Sequence, residues 1–431
     1  MDTQRKITAS QGFFYTPTPF ITMKVSVKKI YSNKKMKQAL LKLEEAHPTI
    51  NNVIEKTENE MFFKDVGKHV ELTEFKKSKD TTWEKVMEEI AKRTVNLEEQ
   101  SGIIFYVVKN VLSFELIIAC HHIYGDGLSV KQLMDDLLYI YSTGKKVDVK
   151  VPKPDLTEKD LNKGCSIPKE LKGKLVSVSK LWGQKKTVFT FDTYRTVNDF
   201  VVNTGGYGFS KRTIKKSELK KLKKKCKELG VTINSVLTTA MVAVLQENGG
   251  IESVIAVNAR NVLGVSDDKS VSNYSSCLKP YLSYDETVDF WTNVKNIDSK
   301  IKELRNDNAQ VLETLHTFME LDADILGAAY HARCGLYRDI DMLKSIKSAL
   351  GTSDNSFDIS NIGEISFENN MRNKRAIKDC YFSPNLATTC NYAFGVMSVN
   401  NSLTISLGYK NKIIQQEQAE KAMDSIVKYL K

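Results

Sequence analysis

The sequence has no long hydrophobic run and no closely spaced cysteine pair. Its apolar runs are short, such as FELIIA (114–119), whereas a membrane span needs about 20 apolar residues. The N-terminal MDTQRKITASQGFF lacks the apolar core of a secretory signal. Seven cysteines at irregular spacing, without a CxxC pair, argue against a disulfide framework or a zinc ribbon. We therefore expect reduced, mostly buried cysteines and a cytoplasmic protein without a membrane span.

The net charge of +11 raises the possibility of a nucleic-acid partner, but its densest source has a simpler explanation. In SELKKLKKKCKELG (217–230), Leu219, Leu222, Cys226 and Leu229 recur at helical spacing, which leaves six lysines on the opposite, solvated face. No RNA-binding motif or helix-turn-helix pattern accompanies them. We expect no nucleic-acid partner, although a positive field favours a polyanionic small molecule such as a CoA ester.

A chain of 431 residues is too long for one ordinary core, so two lobes are expected. Strand and helix patterns alternate in both halves. FITMKVSV (20–27) alternates as a half-buried strand, and SVKQLMDDLLYIYSTG (129–144) predicts a helix that Ser129 opens and Gly144 ends. Residues 145–187 lack periodicity and predict a crossover, so we assign residues 1–187 to an N-terminal lobe and 188–431 to a C-terminal lobe.

The heptapeptide HHIYGDG (121–127) follows the apolar strand pattern FELIIAC. On a strand, His121 and His122 point to opposite faces, so one imidazole can face a cavity. Three interpretations compete: two histidines satisfied in a core, a metal site, or a general base at a strand end. A metal site lacks an HxxxH or HxH partner set, whereas imidazole titrates near neutral pH and suits proton abstraction.

The same heptapeptide resembles the HHxxxDG signature of condensation domains, chloramphenicol-acetyltransferase-like enzymes, BAHD acyltransferases and alcohol O-acetyltransferases. Further segments resemble these families in the same order: ALLKLEEAHPTI, GVTINSVLTTAMVAVL, VNARN, SNYSS and SNIGEI. The likeness covers essentially the whole chain and is closest to standalone alcohol acetyltransferases and polyketide-associated acyltransferases. It implies an α/β fold of two chloramphenicol-acetyltransferase-like lobes in a V-shaped pseudo-dimer, with an active-site tunnel at their interface.

The resemblance also implies roles for single residues. His122 corresponds to the catalytic base, while His121 and Gly127 support the motif. Asp126 could orient His122, as in a catalytic triad, but the families instead pair this aspartate with an arginine, here Arg260. The Gly127 backbone N–H, Ser360 and Asn361 are candidates for stabilising the oxyanion.

The expected reaction is transfer of an acyl group from acyl-CoA, as co-substrate, to a small-molecule hydroxyl or amine acceptor. We expect no tightly bound cofactor, no metal and a monomer. Two alternatives are a condensation-type enzyme, whose donor is carried by the phosphopantetheine of an acyl carrier protein, and a catalytically silent binding protein of the same fold. Asn273 in SNYSS occupies the place of a BAHD asparagine, without the surrounding family pattern.

Overall fold

The computed structural model describes most of the chain. The described residues are 4–12, 14–15, 20–57, 60–79, 81–153, 168–185, 189–247, 249–322, 324–325, 327–328, 331, 339–350, 356–365, 376–384 and 390–431. The predicted boundary between residues 187 and 188 lies outside them, as does the stretch 154–167 of the predicted crossover.

The first part of the chain forms strands β1 to β7 and helices α1 to α4. The strands are β1 Arg5–Lys6, β2 Ile21–Val27, β3 Val53–Lys56, β4 Met61–Lys64, β5 Glu71–Lys76, β6 Ile103–Lys109 and β7 Phe114–Cys120. The helices are α1 Ala9–Gly12, α2 Asn33–Ala46, α3 Trp83–Lys92 and α4 Gly127–Thr143.

The remainder of the chain again mixes strands and helices. The strands are β8 Tyr207–Ile214, β9 Ile251–Asn258, β10 Ser275–Leu278, β11 Tyr281–Leu282, β12 Ser356–Ile365, β13 Ile377–Ser383, β14 Tyr392–Val399 and β15 Ser402–Lys410. The helices are α5 Lys169–Lys185, α6 Phe191–Asn203, α7 Lys216–Leu229, α8 Ile233–Leu245, α9 Phe290–Asn306, α10 Asn308–Glu320, α11 Ile340–Leu350 and α12 Gln416–Tyr429.

Two principal sheets organise the two lobes. The first has the strand order β13-β2-β7-β6-β5, and the second has the order β10-β9-β12-β14-β15-β8 with β11 beside β9. Each sheet has its own hydrophobic core, covered by helices such as α2 and α4 in the first lobe and α8 and α12 in the second. The predicted two-lobed α/β architecture is confirmed.

Strand β13 crosses between the lobes. It lies late in the chain, between β12 and β14 of the second sheet, yet it pairs antiparallel with β2 of the first, with Cys380 opposite Val25. Met397 and Val399 of β14 also pack in the first core. The lobes are therefore joined by backbone pairing as well as by side-chain packing.

The prediction that β2 is half-buried is wrong, because both faces of this strand are covered. Its polar residue Lys24 is 1% exposed, and its ammonium lies 3.0 Å from Asp379 and 3.3 Å from Glu115. The ammonium also lies 4.7 Å from the centre of the Trp83 ring. Alternation in the sequence could not show that the polar face meets an ion-pairing partner from β13.

The predicted faces of helix α7 are confirmed, and helix α8 begins with a side-chain cap. In α7, Leu219, Leu222 and Cys226 are buried, with the lysines on the other faces, and Thr232 caps α8 by accepting a hydrogen bond from the Ser235 backbone N–H.

No single helix among the described residues is long and apolar enough to cross a membrane. Taken together, α7 and α8 meet the length and composition criteria, with a bend of 102° between them.

Candidate active site

The HHIYGDG segment forms the tight connection from β7 to α4. The backbone N–H of His121 donates to the Gly102 oxygen at 2.8 Å, and that of Tyr124 donates to the His121 oxygen at 2.9 Å. The Tyr124 hydroxyl in turn donates to the Asn52 oxygen at 2.7 Å. The turn after the strand is thus held from several sides, so the position of His122 is set by buried backbone hydrogen bonds.

The two glycines of this segment are needed for close packing. A Cβ atom at Gly125 would lie 2.7 Å from the Ser129 Cβ, and one at Gly127 would lie 2.9 Å from the Ile362 Cγ2. Neither glycine has a positive φ. Larger residues are therefore excluded by contact distance, and the contact with Ile362 brings the end of β12 against the start of α4.

His121 and His122 occupy different surroundings. His121 is 3% exposed, its ring meets the Phe20 ring edge-on at 5.8 Å, and its Nδ1 accepts from the Ile123 backbone N–H at 3.4 Å. His122 is partly buried, and the Phe14 ring stacks on its imidazole with centroids 4.2 Å apart and planes 16° apart. His121 is thus packed inside the first lobe, whereas His122 lies beneath an aromatic ring.

Burial lowers the pKa of His122 below its usual value, because desolvation disfavours the imidazolium cation. The backbone carbonyl of His122 and the charge of Asp126 act in the opposite direction with smaller effect. The imidazole is therefore neutral at neutral pH, which is the protonation state in which it can accept a proton.

Asn273 connects His122 to the second lobe. Its Nδ2 lies 2.9 Å from the His122 Nδ1 and donates to the His122 backbone oxygen at 3.0 Å. The Asn273 Oδ1 accepts from the Ser275 backbone N–H at 3.1 Å and from its hydroxyl at 2.7 Å. These two donors fix the orientation of the amide, so Nδ2 faces His122. Since Asn273 precedes β10, the site lies where the two lobes meet.

Asp126 is turned away from the imidazole and pairs with Arg260. The Arg260 Nη1 donates to Asp126 Oδ2 at 2.7 Å and the Nη2 donates to Oδ1 at 3.2 Å. Burial would by itself raise the pKa of Asp126, but the charge and hydrogen bonds of Arg260 hold it below its usual value. The structure therefore brings these two predicted residues together as a buried ion pair.

The same carboxylate also caps helix α4. Asp126 Oδ1 accepts from the Ser129 backbone N–H at 3.0 Å and from its hydroxyl at 3.1 Å, while Oδ2 accepts from the Tyr274 N–H at 3.1 Å. The prediction that Ser129 opens α4 is wrong, since Asp126 is the N-cap and the helix begins at Gly127. Asp126 is the better N-cap than Ser129 because its ionised carboxylate oxygens can accept hydrogen bonds from several donors at once.

Comparison of the sequence with known protein families identifies the family of this chain. The profile of the alcohol acetyltransferase family matches residues 47–431. The chain belongs to the alcohol acetyltransferase family. It is accordingly an acyltransferase.

Solved structures similar to this acyltransferase share its fold at low sequence identity. Polyketide synthase associated protein 5 from Mycobacterium tuberculosis is 14% identical, with a TM-score of 0.65 over 99% of this chain and 97% of that one. Trichothecene 15-O-acetyltransferase from Fusarium sporotrichioides is 11% identical, with a TM-score of 0.66 over 99% and 95%. The first condensation domain of the calcium-dependent antibiotic synthetase is 11% identical, with a TM-score of 0.65 over 99% and 95%. A comparison with curated proteins returned no match.

The two predicted oxyanion residues on β12 of this acyltransferase differ in their contacts. The Asn361 Nδ2 donates to the Asn234 Oδ1 at 3.3 Å, and its Oδ1 accepts from the Gly363 N–H at 2.9 Å. Its amide is thus used within the second lobe. Ser360 lies on the partly buried face of the strand, two residues before Ile362, which contacts the start of α4. Of the two, Ser360 is the one whose side chain makes no hydrogen bond to a described residue.

Sequence reasoning missed two aromatic residues beside His122 and an acidic residue on β12. Phe14 stacks on His122, and Phe318 meets Phe14 edge-on at 5.5 Å; no local pattern links these two residues to the histidine motif. Asp358 could have been found, because it lies two residues before Ser360 and so faces the same side of β12. Burial raises the pKa of Asp358 to about 7.

Among the described residues, no group of three or more histidine, cysteine, aspartate or glutamate side chains is arranged to hold a metal ion. His331 and His316, the other histidines of the second half, are both buried. His331 packs against the Phe189 ring at 4.4 Å.

Proposed function

We propose that this acetyltransferase moves an acyl group from acyl-CoA to a hydroxyl or amine acceptor, with His122 as the general base. The observation that carries this proposal is a partly buried imidazole with a lowered pKa, held at the meeting of the lobes, while the nearby carboxylate is occupied by Arg260. A neutral base with no carboxylate partner is suited to remove a proton from an alcohol or amine.

The reaction follows from these parts. The acceptor oxygen or nitrogen attacks the thioester carbonyl carbon as its proton moves to the His122 Nε2, and the carbonyl electrons move to the oxygen. The tetrahedral intermediate then collapses, the C–S bond breaks, and the imidazolium returns the proton to the CoA sulfur. Since the acceptor attacks the thioester directly, the enzyme acts chiefly by holding both reactants together.

The tautomer of His122 matters for this step. Nε2 can accept a proton only when the neutral ring carries its hydrogen on Nδ1. In that tautomer, Nδ1–H donates to the His122 backbone oxygen. Asn273 then donates only to the same oxygen and makes no hydrogen bond to Nδ1, because both nitrogens are then donors. In the other tautomer, Asn273 donates to Nδ1. We assign the first tautomer to the reactive state, with Asn273 as a positioning residue.

The oxyanion requires hydrogen-bond donors. The Ser360 hydroxyl and the Gly127 backbone N–H are our candidates. Gly127 is the first residue of α4, where backbone N–H groups lack partners within the helix and the helix dipole favours negative charge. Asn361 is the weaker candidate because Asn234 and Gly363 engage its amide.

We also propose that Asp358 contacts the acceptor. Phe357 and Ile359 point into the second core, so Asp358 lies on the other face of the second sheet. No side chain among the described residues hydrogen-bonds to its carboxyl group. A carboxyl group there is suited to hold the hydroxyl or amine of an acceptor by a hydrogen bond.

The test is a thiol-release assay with acetyl-CoA and a panel of alcohols and amines, with products identified by mass. Replacing His122 by alanine should lower kcat by about two to four orders of magnitude, the usual contribution of a positioned base, while the protein still folds. Replacing His69, whose side chain is 70% exposed, is the matched control and should leave the rate unaltered. Full activity of His122→Ala would exclude the mechanism.

A donor carried by an acyl carrier protein is the second candidate, because the fold is shared with the first condensation domain of the calcium-dependent antibiotic synthetase. The same assay separates the two donors when acetyl-CoA is compared with an acetylated carrier protein. Faster transfer from the carrier would favour a condensation-type enzyme. Absence of transfer from both, with every acceptor, would favour a silent binding protein.

A further inference from the structure

One end of the first sheet carries a group of exposed residues that the acyl-transfer site does not use. Val27 at the end of β2 is opposite Phe114, and Lys76 at the end of β5 is opposite Lys109. The same end of the first sheet therefore carries three connecting segments: the one after β2, the turn between β6 and β7, and the one after β5. Strand β13 begins at the same end, since Ile377 is opposite Val27. We call this end the basic tip.

Three large apolar side chains of the basic tip are exposed. Ile30 is 71% exposed, Val111 is 81% exposed and Leu112 is 67% exposed. Val111 and Leu112 form the turn itself, which is closed by the Asn110 N–H donating to the Ser113 oxygen at 2.8 Å. These side chains contribute little to the core, and apolar groups gathered at a protruding surface mark an interaction site.

Exposed lysines lie on the same segments at this end of the first sheet. The five exposed lysines that the strand ends bring here are Lys28, Lys76, Lys77, Lys79 and Lys378. None of the five forms an ion pair with a described residue, whereas the carboxylate of Glu74 is bound by the Lys109 ammonium at 2.9 Å. The basic tip therefore combines uncompensated positive charge with exposed aliphatic side chains.

We propose that the basic tip docks on the surface of an anionic lipid bilayer. The aliphatic side chains of Ile30, Val111 and Leu112 insert among the headgroups, and the lysines bind the anionic headgroups around them. A bilayer suits this surface better than a protein or a nucleic acid does. The exposed large apolar side chains of the tip are aliphatic, and none of them offers an aromatic ring on which a base could stack.

The test is flotation of the full-length protein with vesicles of phosphatidylcholine alone or mixed with phosphatidylserine. The wild-type protein should bind only the mixed vesicles, and less at high salt because screening weakens the attraction. The double variant Lys76→Gln/Lys77→Gln should bind more weakly by on the order of fivefold per lysine, since each contributes about 1 kcal/mol near an anionic surface.

Two further double variants distinguish insertion of the tip side chains into the bilayer from non-specific binding of exposed apolar residues to vesicles. Val111→Ser/Leu112→Ser should lose binding, whereas Val149→Ser/Val151→Ser should not. These control valines are 63% and 68% exposed but lie at the far end of α2, where the Lys150 N–H donates to the Ala46 oxygen. Acyl transfer without vesicles should be equal in all variants.

Several outcomes would overturn the proposal. They are equal binding to both vesicle types, no binding to either, an equal loss in the control variant, and unaltered binding in both tip variants. A dimer in solution that Val111→Ser/Leu112→Ser dissociates would instead assign the tip to a second copy of the chain.

Discussion

The buried pair of Asp126 and Arg260 offers the sharpest test of how the site is held. Their side chains are 5% and 6% exposed, and the carboxylate accepts two hydrogen bonds from the guanidinium. Replacing Asp126 by asparagine keeps the shape of the side chain but removes the carboxylate charge that is paired with the buried Arg260 guanidinium. Such a loss costs about 3–5 kcal/mol.

The magnitude can be followed by thermal unfolding. At about 2.1 cal/mol/K per residue, this chain has an unfolding entropy of about 0.9 kcal/mol/K, so a loss of about 4 kcal/mol lowers Tm by about 4 °C. Arg260→Met should have a similar effect. Because both substitutions remove the same interaction, the double variant should lose less than the sum of the two.

The pH dependence follows from the lowered pKa of Asp126. Its folded pKa is below the unfolded value, so the stability it contributes is present above the unfolded pKa, about 3.9 for aspartate, and is lost as pH falls. The difference in Tm between wild type and Asp126→Asn should therefore shrink in acid.

The control is an exposed ion pair of similar distance. The Lys153 ammonium lies 2.6 Å from Asp267, but the two side chains are 39% and 81% exposed, so Lys153→Ala should cost less than about 1 kcal/mol. Unaltered melting of either single variant at Asp126 or Arg260, or strictly additive losses in the double variant, would refute the reasoning.

The remaining predictions concern catalysis and pH. Because burial lowers the pKa of His122, kcat at saturating acceptor should rise along one ionisation with its midpoint below about 6.5, and a midpoint above 7 would contradict this. Asn273→Asp should move that midpoint upward, since a carboxylate stabilises imidazolium, whereas Asn273→Ala should not. Asp358 has a pKa of about 7, above its unfolded value, so the wild type loses stability as pH rises toward 7. Asp358→Asn should therefore melt higher than wild type at pH 8 but not at pH 5, and should raise KM for the acceptor more than for acyl-CoA. Activity should survive EDTA, and loss on chelation with recovery on added zinc would overturn the base assignment.

Much of the local structure follows from the sequence alone. Helix α2 ends at Ala46, with His47 as its C-cap before Pro48, Thr232 caps α8, and the β14–β15 hairpin turns at Asn400 and Asn401 with positive φ values of 51° and 62°. These features depend on periodicity, capping and turn chemistry within a few residues. The resemblance of HHIYGDG and the later segments to acyltransferases also indicated the two-lobed fold and the family.

The contacts of the site were decided by tertiary structure. Asp126 and Arg260 are 134 residues apart, and His122 and Asn273 are 151 residues apart. The resemblance suggested the first pair. Only the folded chain gives the geometry of that pair. It also shows that Asp126, besides pairing with Arg260, caps helix α4, and that the Phe14 ring stacks on His122. It also places β13 in the first sheet, which covers Lys24. A sequence pattern reports the periodicity of one element, whereas burial and ion pairing depend on which distant element lies against it. The local features could therefore be predicted from the sequence, whereas the contacts between distant residues could be identified only from the folded structure.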